Sequence, residues 1–403
     1  MINLADSPSG RLFVFLALLS PAGSSFAVIE KFTPYAYVRV VNDSNVFRLS
    51  GDEAARALLG SSSRNDTIGY VGGGFETDLK LSRQHLLLDA EVERAEYDSF
   101  GELDHTRTKG RAAWAWRVGN LWNGEIGTRY NRRLRSFYQS NIPEKDMRTE
   151  KAGYLSAGYQ LHPDWRLSAG VDVSDVSYQE RDRLDRDSAA GNFQVLYNNT
   201  RNTKVGVRVK YTDNDLRDDN INGVSVSNDY SETEISGLFF WEVTGKSDLE
   251  ANLGYTDQNY DDLDERDFQG TTGRLTYNWY MTGKTELEFS AWRETSSYNQ
   301  EITTYVLTKG ASIGPVWSIT PKITLTGLVS YYNDDFKGEN DIRTALGGQR
   351  RDDDTWLYSI DVRWTPRDYM ALTAGYRRED RDSSIDANDF DDSQYNVGVR
   401  LQF

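Results

Sequence analysis

Alternation is the feature that most limits what this chain can become. Its last nine residues carry apolar side chains at every second position, Tyr395, Val397, Val399, Leu401 and Phe403, with polar or small residues between them. A period of two places the two sets on opposite faces of one strand. The same pattern recurs in about eighteen segments of roughly ten or more residues, from 34–42, 67–81 and 85–97 through 165–177, 203–213 and 247–258 to 322–333, 369–380 and 392–403. Such lengths match a tilted strand crossing a hydrocarbon layer. The expected fold is therefore all-β: a transmembrane antiparallel up-and-down β-barrel of about 18 strands, with 16 as the alternative count.

The connections fall into two classes in strict turn. One is tight, as at Ser82-Arg83-Gln84, Gly119-Asn120-Leu121, His162-Pro163-Asp164 and Thr282-Gly283-Lys284, where Gly, Pro and Asx chemistry supplies the dihedrals of a reversal. The other is long and acidic, as in Glu180–Asp187, Asp213–Asn228, Asp257–Asp267, Asn333–Asp353 and Arg378–Asp392. Short periplasmic turns and long acidic extracellular loops are the asymmetry of an outer-membrane barrel, with both termini on the periplasmic side. Trp116, Trp122, Trp165, Trp241, Trp279, Trp317 and Trp364 lie beside the short turns and read as one interfacial girdle. A soluble sandwich or propeller also alternates, but explains neither the two loop classes nor the tryptophans at one rim. Tyr395, Val397, Val399, Leu401 and Phe403 are also the expected signal for the barrel-assembly machinery, with Phe403 at its end.

Residues 1–27 read as a secretory signal peptide: Arg11, an apolar run over 12–19, then small residues ending at Ala27. Residues 28–403 are then a single outer-membrane barrel domain. The mean hydropathy of −0.66 fits a barrel because half of each strand faces a polar lumen. With no cysteine, thiolate catalysis and cysteine metal sites are excluded, and three histidines are too scattered for a His-rich metal site. A net charge of −16 makes nucleic acid a poor partner. No nucleophile elbow or metal triad appears, so neither enzymatic activity nor a cofactor is expected.

The inward set carries the functional clues. Its charged candidates are Arg111, Arg117, Arg129, Arg133, Arg208, Arg274, Arg363 and Arg400 with Asp89, Glu91, Glu93, Glu286 and Glu288. Much of this set is expected to pair across strands and stiffen the wall. Inward aromatics are Tyr35, Tyr37, Tyr70, Tyr154, Phe240, Tyr280, Trp292 and Tyr332. A ring in a wet lumen can stack on the C–H face of a sugar, or pack against a loop or a local arginine. In the loops, 52–60 reads as a short helix with an acidic start and a glycine stop. Asp218, Asn220, Asn222 and Asp229 follow the oxygen spacing of a calcium loop, without the flanking helices such a loop has. Solvated loop acids, bridged by divalent ions to lipopolysaccharide, are the alternative.

The stretch 43–50, Thr67-Ile68 opening the second strand and Leu81-Ser82-Arg83-Gln84 at the first turn resemble the EpsL-type β-barrels, within the porin-like group. These are outer-membrane proteins encoded with exopolysaccharide biosynthesis machinery. The resemblance implies export of a newly synthesised exopolysaccharide across the outer membrane of a Gram-negative cell, in partnership with a periplasmic polysaccharide-export protein. The alternative is a general or solute-specific porin for small-molecule uptake, which eighteen strands suit as well.

Overall fold

The computed structural model describes residues 28–138, 141–199, 202–221, 224–297, 305–337 and 350–403. The signal-peptide expectation for 1–27 lies outside them. The strands are β1 (Val28–Asp43), β2 (Asp66–Leu81), β3 (Gln84–Tyr97), β4 (His105–Val118), β5 (Trp122–Leu134), β6 (Met147–His162), β7 (Trp165–Tyr178), β8 (Arg186–Asn199), β9 (Thr203–Leu216), β10 (Asp219–Ile221), β11 (Val224–Val226), β12 (Tyr230–Thr244), β13 (Ser247–Tyr260), β14 (Phe268–Thr282), β15 (Thr285–Ser297), β16 (Tyr305–Thr320), β17 (Ile323–Lys337), β18 (Asp352–Arg367), β19 (Met370–Ser383) and β20 (Phe390–Gln402). All but β10 and β11 form one 18-stranded antiparallel sheet. It closes where β20 pairs with β1, from Tyr35↔Gln402 to Asp43↔Gln394, and the Phe403 N–H donates to the Pro34 carbonyl at 2.9 Å. Closure leaves no strand edge, so every backbone group within the bilayer can find a partner on the next strand.

The outward face is apolar. Val205, Val207 and Val209 on β9 and Val397 and Val399 on β20 are exposed, as lipid-facing side chains must be. Two aromatic belts bound this band. Near the short turns Trp122 packs on Tyr159 with ring centroids 4.5 Å apart, and Trp165 on Tyr197 at 4.9 Å. Towards the loops Tyr331 packs on Trp356 at 5.0 Å and Tyr376 on Tyr395 at 4.9 Å. On β20 the two belts are eight residues apart, Tyr395 to Phe403, which at ~3.3 Å per residue and a tilt of about 40° spans roughly 20 Å of hydrocarbon. The exterior is thus built for a bilayer, and the closed antiparallel barrel places the protein in the outer membrane.

The short turns follow the sequence. Leu81 and Gln84 pair around a two-residue reversal in which Ser82 takes φ +61°, and Gly119 takes φ +58° in the next. The extracellular side differs from expectation. Several strands run two to four residues further than their alternation, as β17 does in reaching Lys337, because polar strand ends above the bilayer no longer need an apolar face. Three of the segments read as long loops, Glu180–Asp187, Asp257–Asp267 and Arg378–Asp392, contain compact 3-10 turns instead. In each, an aspartate closes the hairpin by accepting a strand N–H. Asp185 accepts from Tyr178 at 2.7 Å, Asp267 from Tyr260 at 2.8 Å and Asp389 from Ser383 at 2.7 Å. Asp104, after the turn Gly101–Leu103, does the same for Tyr97 at 2.8 Å.

The helix α1 (Asp52–Leu59) forms as its sequence suggests, ending at Gly60 with φ +71° and the Gly60 N–H on the Arg56 carbonyl. It belongs to a small extracellular core in which Phe47, Leu49, Ala55, Leu103 and Phe137 are buried together, joining the first three loops. In the segment with calcium-loop spacing, residues 219–221 and 224–226 pair as a two-stranded hairpin, and the Asp229 carboxylate accepts the Leu216 N–H at 2.6 Å. Asn222 lies outside the described residues. Among those described, no group of three or more His, Cys, Asp or Glu could hold a metal ion.

Candidate functional site: the lumen

The lumen divides into a packed sector and an open one. On β1–β3 the side chains interlock across the pleat. The Tyr35 hydroxyl donates to Glu91 at 2.7 Å and the Tyr37 hydroxyl to Glu93 at 3.4 Å. Arg39 lies 3.8 Å over the Tyr70 ring and 3.8 Å from Glu93, which Arg107 approaches from the other side at 3.7 Å. Arg400 of the last strand covers the Tyr35 ring at 3.9 Å and reaches Glu76 at 3.6 Å, tying the closing seam from inside. Bare backbone makes room for this. A Cβ at Gly74, opposite Tyr35 in the ladder, would stand 2.9 Å from the Tyr35 hydroxyl and collide with the Ala90 carbonyl oxygen.

The same arrangement of ring and cation recurs round the wall. Arg129 lies 5.0 Å from the Tyr154 ring, while the Tyr154 hydroxyl donates to Glu125 and receives a hydrogen bond from Arg111. Lys204 stands 4.7 Å from the Phe240 ring and Arg274 5.0 Å from that of Trp292, which lies across Gly310. One face of Tyr35, Tyr70, Tyr154, Phe240 and Trp292 is therefore turned to a cation of the barrel itself. Tyr280 is the most open of the inward rings, at 41% exposure beside Asp248.

Most of the inward charges are also paired: Arg111 with Glu125 at 2.6 Å, Arg129 with Asp172 at 2.9 Å, Arg208 with Glu234 at 2.9 Å and Arg274 with both oxygens of Glu294. Asp89 faces Arg111 in the ladder. Arg133 stands high on β5, next to Leu134, where that strand ends. Arg117 and Arg363 lie close to the short turns and form no ion pair with any described residue, and neither do Glu286 and Glu288 low on β15.

A strap crosses the mouth above these groups. The connection after β5 carries Tyr138, whose hydroxyl donates to Asp334 of β17 at 3.1 Å. Arg381 of β19 sits 3.9 Å over the Tyr138 ring and donates to its carbonyl at 3.1 Å, and Phe390 meets the ring edge-on at 6.2 Å. Beneath it the Tyr332 hydroxyl reaches Glu379 at 3.5 Å. From β5 round the ladder through β1 to β17 is eight steps in a ring of eighteen, so the contact joins strands nearly opposite in the ladder order. A bare ring of that size would measure roughly 35 Å between backbones. Burial raises the Asp334 carboxyl and the Tyr138 phenol above their ordinary ranges, which keeps the phenol a donor.

Against the opposite wall, on β7–β9 and β12–β15, lies an open cavity of about 500 Å³. Hydroxyl and amide groups dominate its lining: Ser174, Ser188, Thr212, Asn214, Asn252, Thr256, Gln258 and Thr272. Asp172, Arg186, Lys210, Glu232, Glu234 and Glu294 add charge. Lys210 and Glu232 form neither a hydrogen bond nor an ion pair with any described residue, although Lys210 is close enough to Glu232 to act on it electrostatically. Neither Tyr138 nor Glu232 stands out in the sequence. The adjacent aromatics Phe137-Tyr138 in a polar connection were the available signal for the strap, whereas nothing local separates Glu232 from its neighbours.

Comparison with known proteins agrees with this architecture. Residues 227–403 match the family model described as "Putative beta-barrel porin 2". OpdK of Pseudomonas aeruginosa, solved with vanillate, superposes with a TM-score of 0.51 at 14% identity, covering 93% of this chain and all of that one. OccK2 (OpdF) of the same organism gives 0.52 at 13% identity over 92% of this chain and 97% of its own, and has also been solved with glucuronate. OccAB3 of Acinetobacter baumannii gives 0.52 at 8% identity, covering 93% of this chain and all of its own. No curated protein matches the sequence. The shared property is the 18-stranded porin-like barrel.

Proposed function

We propose that this barrel is a channel for uptake of small hydroxylated solutes across the outer membrane, with a preference for those carrying a carboxylate. The observation that carries the reading is the cavity of about 500 Å³ on β7–β9 and β12–β15. Its volume falls in the range of small-ligand sites. Its hydroxyls and amides offer exchangeable hydrogen bonds along a wall, which suits passage better than a single tight grip. Lys210, with no ion-pair partner among the described residues, is the group a carboxylate would meet. Vanillate and glucuronate, the molecules in the OpdK and OccK2 structures, are small hydroxylated carboxylates, which supports the same class here.

Export of an exopolysaccharide rested on the inward rings as a stacking path. Five of those rings already turn a face to a barrel cation, and the strap narrows the mouth, so the geometry favours a small solute over an extended polymer. Planar-bilayer recording tests this directly. Glucuronate should interrupt the current through the wild-type channel, and Lys210→Gln should weaken that block about fivefold, the worth of one partly solvated charge contact. A barrel that carries no current, or one blocked by secreted polysaccharide while indifferent to glucuronate, would sink the uptake reading.

A further inference from the structure

On β15 and β16, Arg293 and Lys309 stand directly opposite one another in the ladder. Both belong to the lipid-facing set, Arg293 two and four positions from Ala291 and Phe289, Lys309 two and four from Ala311 and Ile313. Directly opposed side chains have Cβ atoms about 5 Å apart, and like charges so placed repel. Three other outward bases are neutralised. Lys151 pairs with Asp175 at 3.0 Å, Arg378 with Asp380 at 2.6 Å and Arg94 with Glu96 and Asp104 at 3.4 Å. Among the described residues, Arg293 instead donates only to the carbonyl and hydroxyl oxygens of Thr271, and Lys309 has no hydrogen-bond or ion-pair partner. Across β17, Asp354 is already held by the Tyr331 hydroxyl at 2.6 Å and the Asn333 amide at 3.2 Å. In a chain with 62 acids and a net charge of −16, two adjacent cations without an acid partner among the described residues are placed to take an anion from outside the chain.

Their height says which anion. Thr271 pairs with Tyr255, and Ala311 with Tyr331, both aromatics of the extracellular belt. The two cations therefore lie at the level of lipid headgroups, with Phe289 and Ile313 on the hydrocarbon side below them. The geometry points to a docking site for a phosphorylated glycolipid of the outer leaflet. Its phosphate sits between Arg293 and Lys309, the Thr271 hydroxyl within reach, and its acyl chains lie along Phe289 and Ile313. This rests on the orientation of the barrel in the membrane and not on what passes through it.

Native mass spectrometry of the detergent-solubilised full barrel with diphosphorylated lipid A, and with the same lipid after removal of its phosphates, tests the site. Wild type should retain one equivalent of the diphosphorylated form, on the order of tenfold more tightly than the phosphate-free form. The double variant Arg293→Gln/Lys309→Gln should lose that preference, and Arg378→Gln, whose charge is paired, should keep it. Heat-modifiable gel migration first establishes that each variant is a closed barrel, and the single variant Lys309→Gln, with several-fold weaker retention expected, covers a double variant that fails to close. Undiminished retention by the variants, or equal retention of the phosphate-free lipid, would overturn the assignment. So would loss of retention with EDTA, which would mean divalent bridging to the acidic rim. Displacement by inorganic phosphate alone would identify a free-anion site and overturn the lipid assignment equally.

Discussion

Tyr138→Ala should release the strap. The side chain is half-buried across the mouth, and its contribution can be worked from three contacts. Withdrawal of the ring from water is worth about 1.5 kcal/mol for a partly buried aromatic. The Arg381 guanidinium at 3.9 Å adds about 1 kcal/mol in this shielded setting. The hydrogen bond to Asp334 at 3.1 Å adds about 1 kcal/mol. The total, about 3.5 kcal/mol, corresponds to a change of roughly a few hundredfold in the ratio of docked to released strap. Single-channel recording reads this as a larger mean conductance with added gating noise, since the released connection samples the mouth instead of bridging it. Tyr138→Phe keeps the ring and the Arg381 contact, so its conductance should stay within a small increment of wild type. Unchanged conductance and noise in Tyr138→Ala, with a properly closed barrel, would refute the view that this contact sets the width of the mouth.

Two further outcomes follow from the extracellular rim. Burial, with Asp43 alongside, pushes the Asp392 carboxyl up to about 7 even though Arg48 lies 3.0 Å away. A raised carboxyl favours the folded state when protonated. Its contribution is complete below the unfolded value of about 4 and is lost as pH rises through about 7. Amide exchange in 44–50, corrected for intrinsic rates, should therefore be slowest near pH 4 and quicken up to about pH 7, and Asp392→Asn should flatten that dependence. A slope of opposite sign would contradict the assignment. In the 3-10 turns, Asp104→Ala should cost about 1–2 kcal/mol by orphaning the Tyr97 N–H, whereas Asp104→Asn keeps an acceptor and should cost far less. The temperature of heat-modifiable gel migration distinguishes them.

The barrel was legible because lipid imposes one requirement on every second residue. Val205, Val207 and Val209 could be assigned outward without knowing any partner, and the strand total followed from the turns. The lumen obeys no such local rule. Tyr35 finds Glu91 across an intervening strand and 56 residues of sequence, and Tyr138 finds Asp334 across 196, so those contacts depend on register and curvature that alternation does not encode. The extracellular turns fall between these cases. Tyr97 and Asp104, Tyr178 and Asp185, and Tyr260 and Asp267 share a seven-residue spacing that is present in the sequence. It is masked by the acids around it, which look alike until one of them is seen to accept a strand N–H.

The pairing of inward rings with barrel cations also bears on how such a channel can change. A hollow cylinder has no interior to hold it round, and resistance to flattening must come from bracing on its inner wall. Here that bracing is densest around the seam, where Arg400, Tyr35, Glu91 and Glu76 lock the first and last strands to their neighbours. On the wall of β7–β9 and β12–β15 such braces alternate with hydroxyl and amide groups. Substitutions there can retune what passes while the seam holds the shape, so that selectivity and mechanical integrity are free to drift apart over evolutionary time.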